Sequence, residues 1–212
     1  MNIRNIIINL FKKEEPKEDT IKNENQDILN ELNSIKIDKQ TLMLEKIDQE
    51  SETIKRYLDE LTSDLVKNKS EIYNLISTKI RKITIHGLEL RNLLTSLETH
   101  YFEPLIDILK RLQERVHRLE IDTIIHELEQ DYEIIIGLEK QLAILIAYDE
   151  LFNPEKNPDY KKAIDKELDK KIFHNNIKEL VNHILRTVLN KTENVKRRVE
   201  HSNVIDRAKF MT

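Results

Sequence analysis

Glu114 and His117 stand in the run Glu-Arg-Val-His, an i, i+3 spacing that sets a carboxylate and an imidazole on one face of a helix. Di-iron carboxylate bundles use that pairing, so the chemistry it suggests is a metal-dependent helical oxidase. Such a centre also needs a second Glu-x-x-His pair and two further glutamates. The chain has no second pair, and Arg111, Arg115 and Arg118 crowd the first with positive charge that opposes a dication. No metal site and no cofactor is expected.

His126 is the next candidate, with Glu127, Glu129, Asp131 and Glu133 close by in sequence. It falls seven residues after Leu119, beside the apolar stripe. A core histidine satisfied by a carboxylate is therefore expected, not a general base. The chain lacks a Gly-rich phosphate loop, a Gly-x-Ser-x-Gly elbow and a His-Glu-x-x-His pair, and it has no Cys. These features disfavour an enzyme.

Positive charge gathers at Lys79-Arg81-Lys82, at Lys110-Arg111-Arg115-Arg118, and at Lys191-Lys196-Arg197-Arg198 with Arg207 and Lys209 beyond. Phosphate or anionic lipid is the ligand chemistry such clusters suggest. The last is the strongest, since Glu193, Glu200 and Asp206 only partly offset it. Few aromatics accompany it, however, and cations near a helix C-terminus also suit the helix dipole. With a formal net charge of −4, nucleic-acid binding is not expected.

The elements that carry these residues must be helices. Gly occurs twice and Pro four times, too few for the corners of a sandwich, a barrel or a doubly wound sheet. Charged residues make up 35% of the chain against about 25% in ordinary globular proteins, and aromatics only 5%. Long helices packed by Leu and Ile stripes suit that composition. The expectation is an all-α fold: an elongated, antiparallel three-helix bundle with coiled-coil character and a mobile N-terminal arm.

The stretch from Leu42 to Tyr101 dominates, as one long amphipathic helix or two nearly end to end. Ile47, Ile54, Leu58, Leu61, Leu65 and Ile72 recur at spacings of three, four and seven, and Asn68 falls where a core residue is due. Such a seam must be buried against another helix, and a buried Asn in it can fix register and oligomer state. Self-association through this seam, as a dimer first of all, is expected. Gly87 sits in the same stretch, after the β-branched run Ile83-Thr84-Ile85, and marks either a kink or a close helix approach.

Pro104 should end that element and start the next, which carries Leu105, Leu109, Leu112, Val116 and Leu119, then Ile121, Ile125, Leu128 and onward. Between Ile134 and Leu151 apolar residues surround nearly the whole helix, the best candidate for the most buried part. Asn153 to Asp159 reads as a loop, with a third helix from Pro158 to Val199. The domain limits expected are an amphipathic segment 1–13, a polar linker 14–27, a helical body 28–201 and a frayed tail 202–212. In the first of these, Ile3, Ile6, Ile7 and Leu10 share a face, flanked by Phe11 and by the charges of Lys12 and Lys13.

The function expected is a non-enzymatic helical interaction or scaffold protein, self-associating and engaging a further protein partner. Its rival is a peripheral membrane protein held on an anionic surface by Ile3, Ile6, Ile7, Leu10, Phe11, Lys12 and Lys13. A reducing cytoplasm is the default compartment, at the membrane periphery in the rival reading.

Overall fold

The computed structural model describes residues 18–35, 37–63, 69–116, 118–152, 170–201 and 203–211. Over these the chain is helical, without a strand: α1 (Glu18–Ser34), α2 (Ile37–Ser63), α3 (Lys69–Leu97), a π-turn (Glu98–Phe102), α4 (Glu103–Arg115), α5 (Leu119–Phe152), α6 (Lys170–His201) and α7 (Val204–Met211). The all-α expectation holds. No described helix is long and apolar enough to cross a membrane.

Four helices close a ring: α2 packs on α3, α3 on α5, α5 on α6, and α6 back on α2. Cross-helix partners fix the directions. Glu50 meets His86 and Glu60 meets Lys79 between α2 and α3. Asp48 meets Lys196, while the Thr62 carbonyl accepts from Lys178, between α2 and α6. In each pair of helices one number rises as the other falls, so neighbours run antiparallel.

This arrangement corrects the expected three-helix bundle. The Leu42 to Tyr101 stretch is neither one rod nor two end to end, because α2 and α3 lie side by side. Each carries a one-sided apolar stripe, and folding back buries both stripes within one chain. A short connection suffices for such a reversal. Ile47, Ile54, Leu58 and Leu61 are accordingly buried inside a single chain. Leu65, Asn68 and the side chain of Ile72 lie outside what the structure describes.

Pro104 does not end a helix. The π-turn before it widens the spiral, and the Glu103 amide donates to the Glu98 carbonyl, one residue further back than in an α-helix. That widening relieves the clash a proline ring would make with the carbonyl four residues earlier. The chain instead breaks at Val116, which is extended. Leu112 and Ile121 are both fully buried, yet nine residues of continuous helix would set them about 180° apart. Reversing the chain between α4 and α5 puts both inside.

Other boundaries also move. Glu18 to Asp27, expected as linker, belongs to α1, whose Ile28 and Leu32 are buried, as is Ile35 just past its end. The expected frayed tail contains α7, where Val204, Ile205 and Ala208 make a short buried stripe. Residues 1–13, including Ile3, Ile6, Ile7, Leu10, Phe11, Lys12 and Lys13, lie outside the described residues, as do Asn153 to Asp159. In α5, Leu138, Leu142 and Leu145 are buried as expected, but Ile144 is 49% exposed and Ile134, Ile136 and Ile146 only half-buried.

Within about two helical turns of one height, two of the four long tracks are interrupted and a third is widened by the π-turn. Ile35 separates α1 from α2 and shares a cavity of about 290 Å³ with His100, Tyr101 and Pro104 around the π-turn. Arg198 on Asp131 and Arg207 on Glu127 bracket the break between α6 and α7. Among the described residues α5 passes this height as a regular α-helix.

α3 runs through Gly87, and an alanine Cβ there would lie 3.7 Å from Leu142 Cδ2 and 3.8 Å from Leu145 Cδ2, ordinary contact. One at Gly137 would meet nothing within 4 Å. Neither glycine has a positive φ. Gly87→Ala and Gly137→Ala should therefore each stabilise the chain by about 0.5–1 kcal/mol, a rise in Tm of about 1–3 °C. A lower Tm for Gly87→Ala would mean that α3 and α5 need the closer approach.

Candidate interaction surface

The inner side of α3 is its buried stripe, Ile83, Leu90, Leu94 and Leu97. At about 100° per residue, Ile85 falls nearly opposite that stripe, and Leu88 lies one turn further along the outer side. They are 55% and 42% exposed. Arg81, Lys82, Glu89 and Asn92 are exposed around them. Two aliphatic side chains thus stand in water amid charge on a helix that already has a full apolar stripe.

Where α3 meets α2, Tyr57 collects cations. The Arg56 guanidinium lies 5.1 Å from the ring centroid, Lys79 Nζ 5.5 Å and Lys82 Nζ 5.3 Å, with the His86 ring 5.7 Å away. The ring is half-buried, and each such cation contributes about 0.5–2 kcal/mol. Glu60 pairs with Lys79, and His86 Nδ1 donates to Glu50 Oε2 at 2.7 Å. Arg56 and Lys82 have no carboxylate at ion-pair distance among the described residues. The ring holds their stems and so orients two cationic heads at the edge of the Ile85–Leu88 face.

A second feature is an open groove of about 880 Å³ on the outer side of α5, lined by Ile106, Lys110, His126, Glu133 and Arg198 among others. Its lysine and arginine are already paired. Lys110 pairs with Glu129, Arg198 with the buried Asp131, and the Tyr132 hydroxyl donates to Glu103 at 3.2 Å. Burial and the flanking Glu98 and Glu103 carboxylates push the Tyr132 phenol up to about 12, so it remains a donor at neutral pH. Burial, opposed by Arg198, raises the Asp131 carboxyl above the usual carboxylate range.

The sequence candidates for chemistry do not converge. Glu114 is exposed and His117 lies outside the described residues. His126 is exposed too, 2.9 Å from Gln130 Nε2, which corrects its expected place beside the core. Its phase was counted from Leu119, and Leu119 is itself 80% exposed. Among the described residues no three His, Asp or Glu side chains are arranged to hold a metal ion. The C-terminal basic cluster resolves into ion pairs of Lys196 with Asp48, Arg197 with Glu193, Arg198 with Asp131 and Arg207 with Glu127.

Comparison of the chain with protein-family models, curated proteins and solved structures finds no match. The outer face of α3 was missed in sequence because Ile85 reads as part of a β-branched run. The signal was present: Ile85 and Leu88 are out of phase with Ile83, Leu90 and Leu94.

Proposed function

We propose that this chain is a non-enzymatic helical interaction protein that self-associates and serves as a scaffold. The observation that carries the reading is the Ile85–Leu88 pair, exposed on the outer face of a helix whose inner stripe is complete, with the Tyr57 cation cluster at its edge. Interfaces are enriched in aromatic and Arg side chains around apolar anchors, and this face has that make-up. Ile47, Ile54, Leu58 and Leu61 of the α2 seam are buried within the chain, so the reading puts self-association on the exposed face of α3 instead. Sedimentation equilibrium tests the reading. The mass should rise above 25.3 kDa with concentration, and a value fixed at 25.3 kDa would refute self-association.

A second reading, peripheral attachment to an anionic membrane, is supported by the one-sided placement of Ile3, Ile6, Ile7 and Leu10 beside Lys12 and Lys13. It concerns a different segment and is compatible with the first.

A further inference from the structure

We propose that the outer face of α3 is a twofold contact between two copies of this chain, with Ile85 at the axis and Lys82 of each copy paired with the partner's Glu89. The inference rests on the self-association reading and names the surface that performs it.

The helix lays its exposed residues out in lines. Lys82 and Glu89, seven apart, lie on the side toward α2, since Lys82 reaches the Tyr57 ring. Arg81 and Leu88 lie on the side toward α5, because Thr95, seven beyond Leu88, bonds Glu139 of α5 at 2.9 Å. Ile85 stands between the two lines. Residues seven apart recur at nearly the same angle on an α-helix.

A twofold axis lying in the contact plane, across the helix, reverses the helix direction and leaves each line facing its own copy. Lys82, three residues before Ile85, then meets the partner's Glu89, four residues after it. The symmetric contact repeats the pair with the roles exchanged. On the other line the Arg81 stem covers the partner's Leu88, and the two Ile85 side chains meet at the centre. A parallel arrangement, about an axis along the helix, would instead set Lys82 beside the partner's Arg81 and Glu89 against the partner's Leu88, so the charges select the antiparallel one.

Within the chain Lys82 lies over the half-buried Tyr57 ring, which leaves its ammonium open to a carboxylate. Among the described residues neither Lys82 nor Glu89 has an oppositely charged side chain at ion-pair distance. The neighbours three and four positions from Glu89 are Ile85, His86, Asn92 and Leu93, and His86 is engaged with Glu50. The contact spans about four turns of one helix, less than the roughly 800 Å² per partner of a stable complex. It should be weaker than micromolar.

The test is sedimentation of the full chain from about 10 μM to about 1 mM, a range suited to a contact of this size. Wild type should dimerise. Ile85→Glu, Lys82→Glu and Glu89→Lys should each raise the dissociation constant by about tenfold or more, since symmetry makes every change twice. Lys82→Glu combined with Glu89→Lys should restore wild-type dimerisation to within about threefold, because it rebuilds both pairs with the signs exchanged. All these side chains are exposed, so helicity should not move; Tm should hold for the Ile85 and Glu89 variants and fall only slightly for Lys82→Glu, which gives up the Tyr57 contact. As an independent check, Ile85→Cys in this cysteine-free chain should cross-link to itself with a short bis-maleimide.

A dimer unaffected by the single variants would overturn the face and leave self-association standing. Single variants that dissociate without rescue by the double would overturn the Lys82–Glu89 pairing. A wild type monomeric throughout would overturn both readings. A monomer that floats with phosphatidylglycerol vesicles, and ceases to on Lys82→Glu, would reassign the face to an anionic bilayer.

Discussion

Phe102→Ala should lower the unfolding free energy by about 3–5 kcal/mol, with the urea m-value unchanged. Phe102 has no exposed surface. It sits in the π-turn, edge-on to Tyr101 with ring centroids 5.1 Å apart and an interplanar angle of 87°. Truncation removes its transfer free energy and leaves a void that the neighbourhood can close only in part. The helices beside it are interrupted at the same height, so fewer continuous backbone elements are available to shift as units. Phe102→Leu should cost less, since most of the volume is kept. A loss below about 1 kcal/mol for the alanine variant would show that the site collapses and that the π-turn does not depend on the ring.

The second large effect concerns Asp131, one of the few charged groups in the interior, whose side chain is 11% exposed while that of Arg198 is 55% exposed. Arg198→Met should cost about 2–3 kcal/mol at neutral pH, at or below the low end for breaking a buried pair because the arginine is partly solvated. The pH dependence has a definite sign. In the folded chain the Asp131 carboxyl lies above its ordinary value, because burial outweighs the attraction of Arg198. The folded state therefore holds the proton more tightly than the unfolded state. This group's contribution is most favourable in acid and is lost as pH rises from the ordinary carboxylate range through the raised value. Removing Arg198 takes away the attraction, raises the carboxyl further and widens that window. The Arg198→Met deficit should thus shrink on acidification. Asp131→Asn should be close to neutral at pH 7 and should abolish that dependence, which urea titrations across the acid range would show. A deficit constant with pH would mean that the loss comes from the packing of the arginine stem.

Helical class was legible because periodicity is a local property of the sequence. Ile47, Ile54, Leu58 and Leu61 were found as buried positions by spacing alone, and they are buried. What buries them was not legible. Between Leu61 and Lys69 there is no Gly or Pro, and a stripe that continues across a reversal looks in sequence like a stripe on a longer helix. The same blindness acted in reverse at Pro104, where a strong stop signal is absorbed by one widened turn. At Val116 the only sign of the true break was the rotation of the stripe between Leu112 and Ile121. His126 failed for a related reason, since a phase counted from Leu119 inherits the exposure of Leu119. Charge was harder still. Arg198 and Lys196 read as a basic patch until Asp131 and Asp48, far away in sequence, are brought beside them.

The height at which α1 meets α2, the π-turn joins α3 to α4, and α6 gives way to α7 behaves as a notch cut through two struts of a four-strut column and scored into a third. Bending resistance there rests on α5 and on the widened spiral of the π-turn, aided by side-chain pairs such as Arg198 with Asp131. Above the notch, α1, α4, α7 and the start of α5 form a short cap; below it, α2, α3, α6 and the rest of α5 form the long shaft. The proposed twofold contact lies on the shaft. Two copies joined there would therefore hold their shafts in a fixed relation, with the notch as the weakest section between each shaft and its cap.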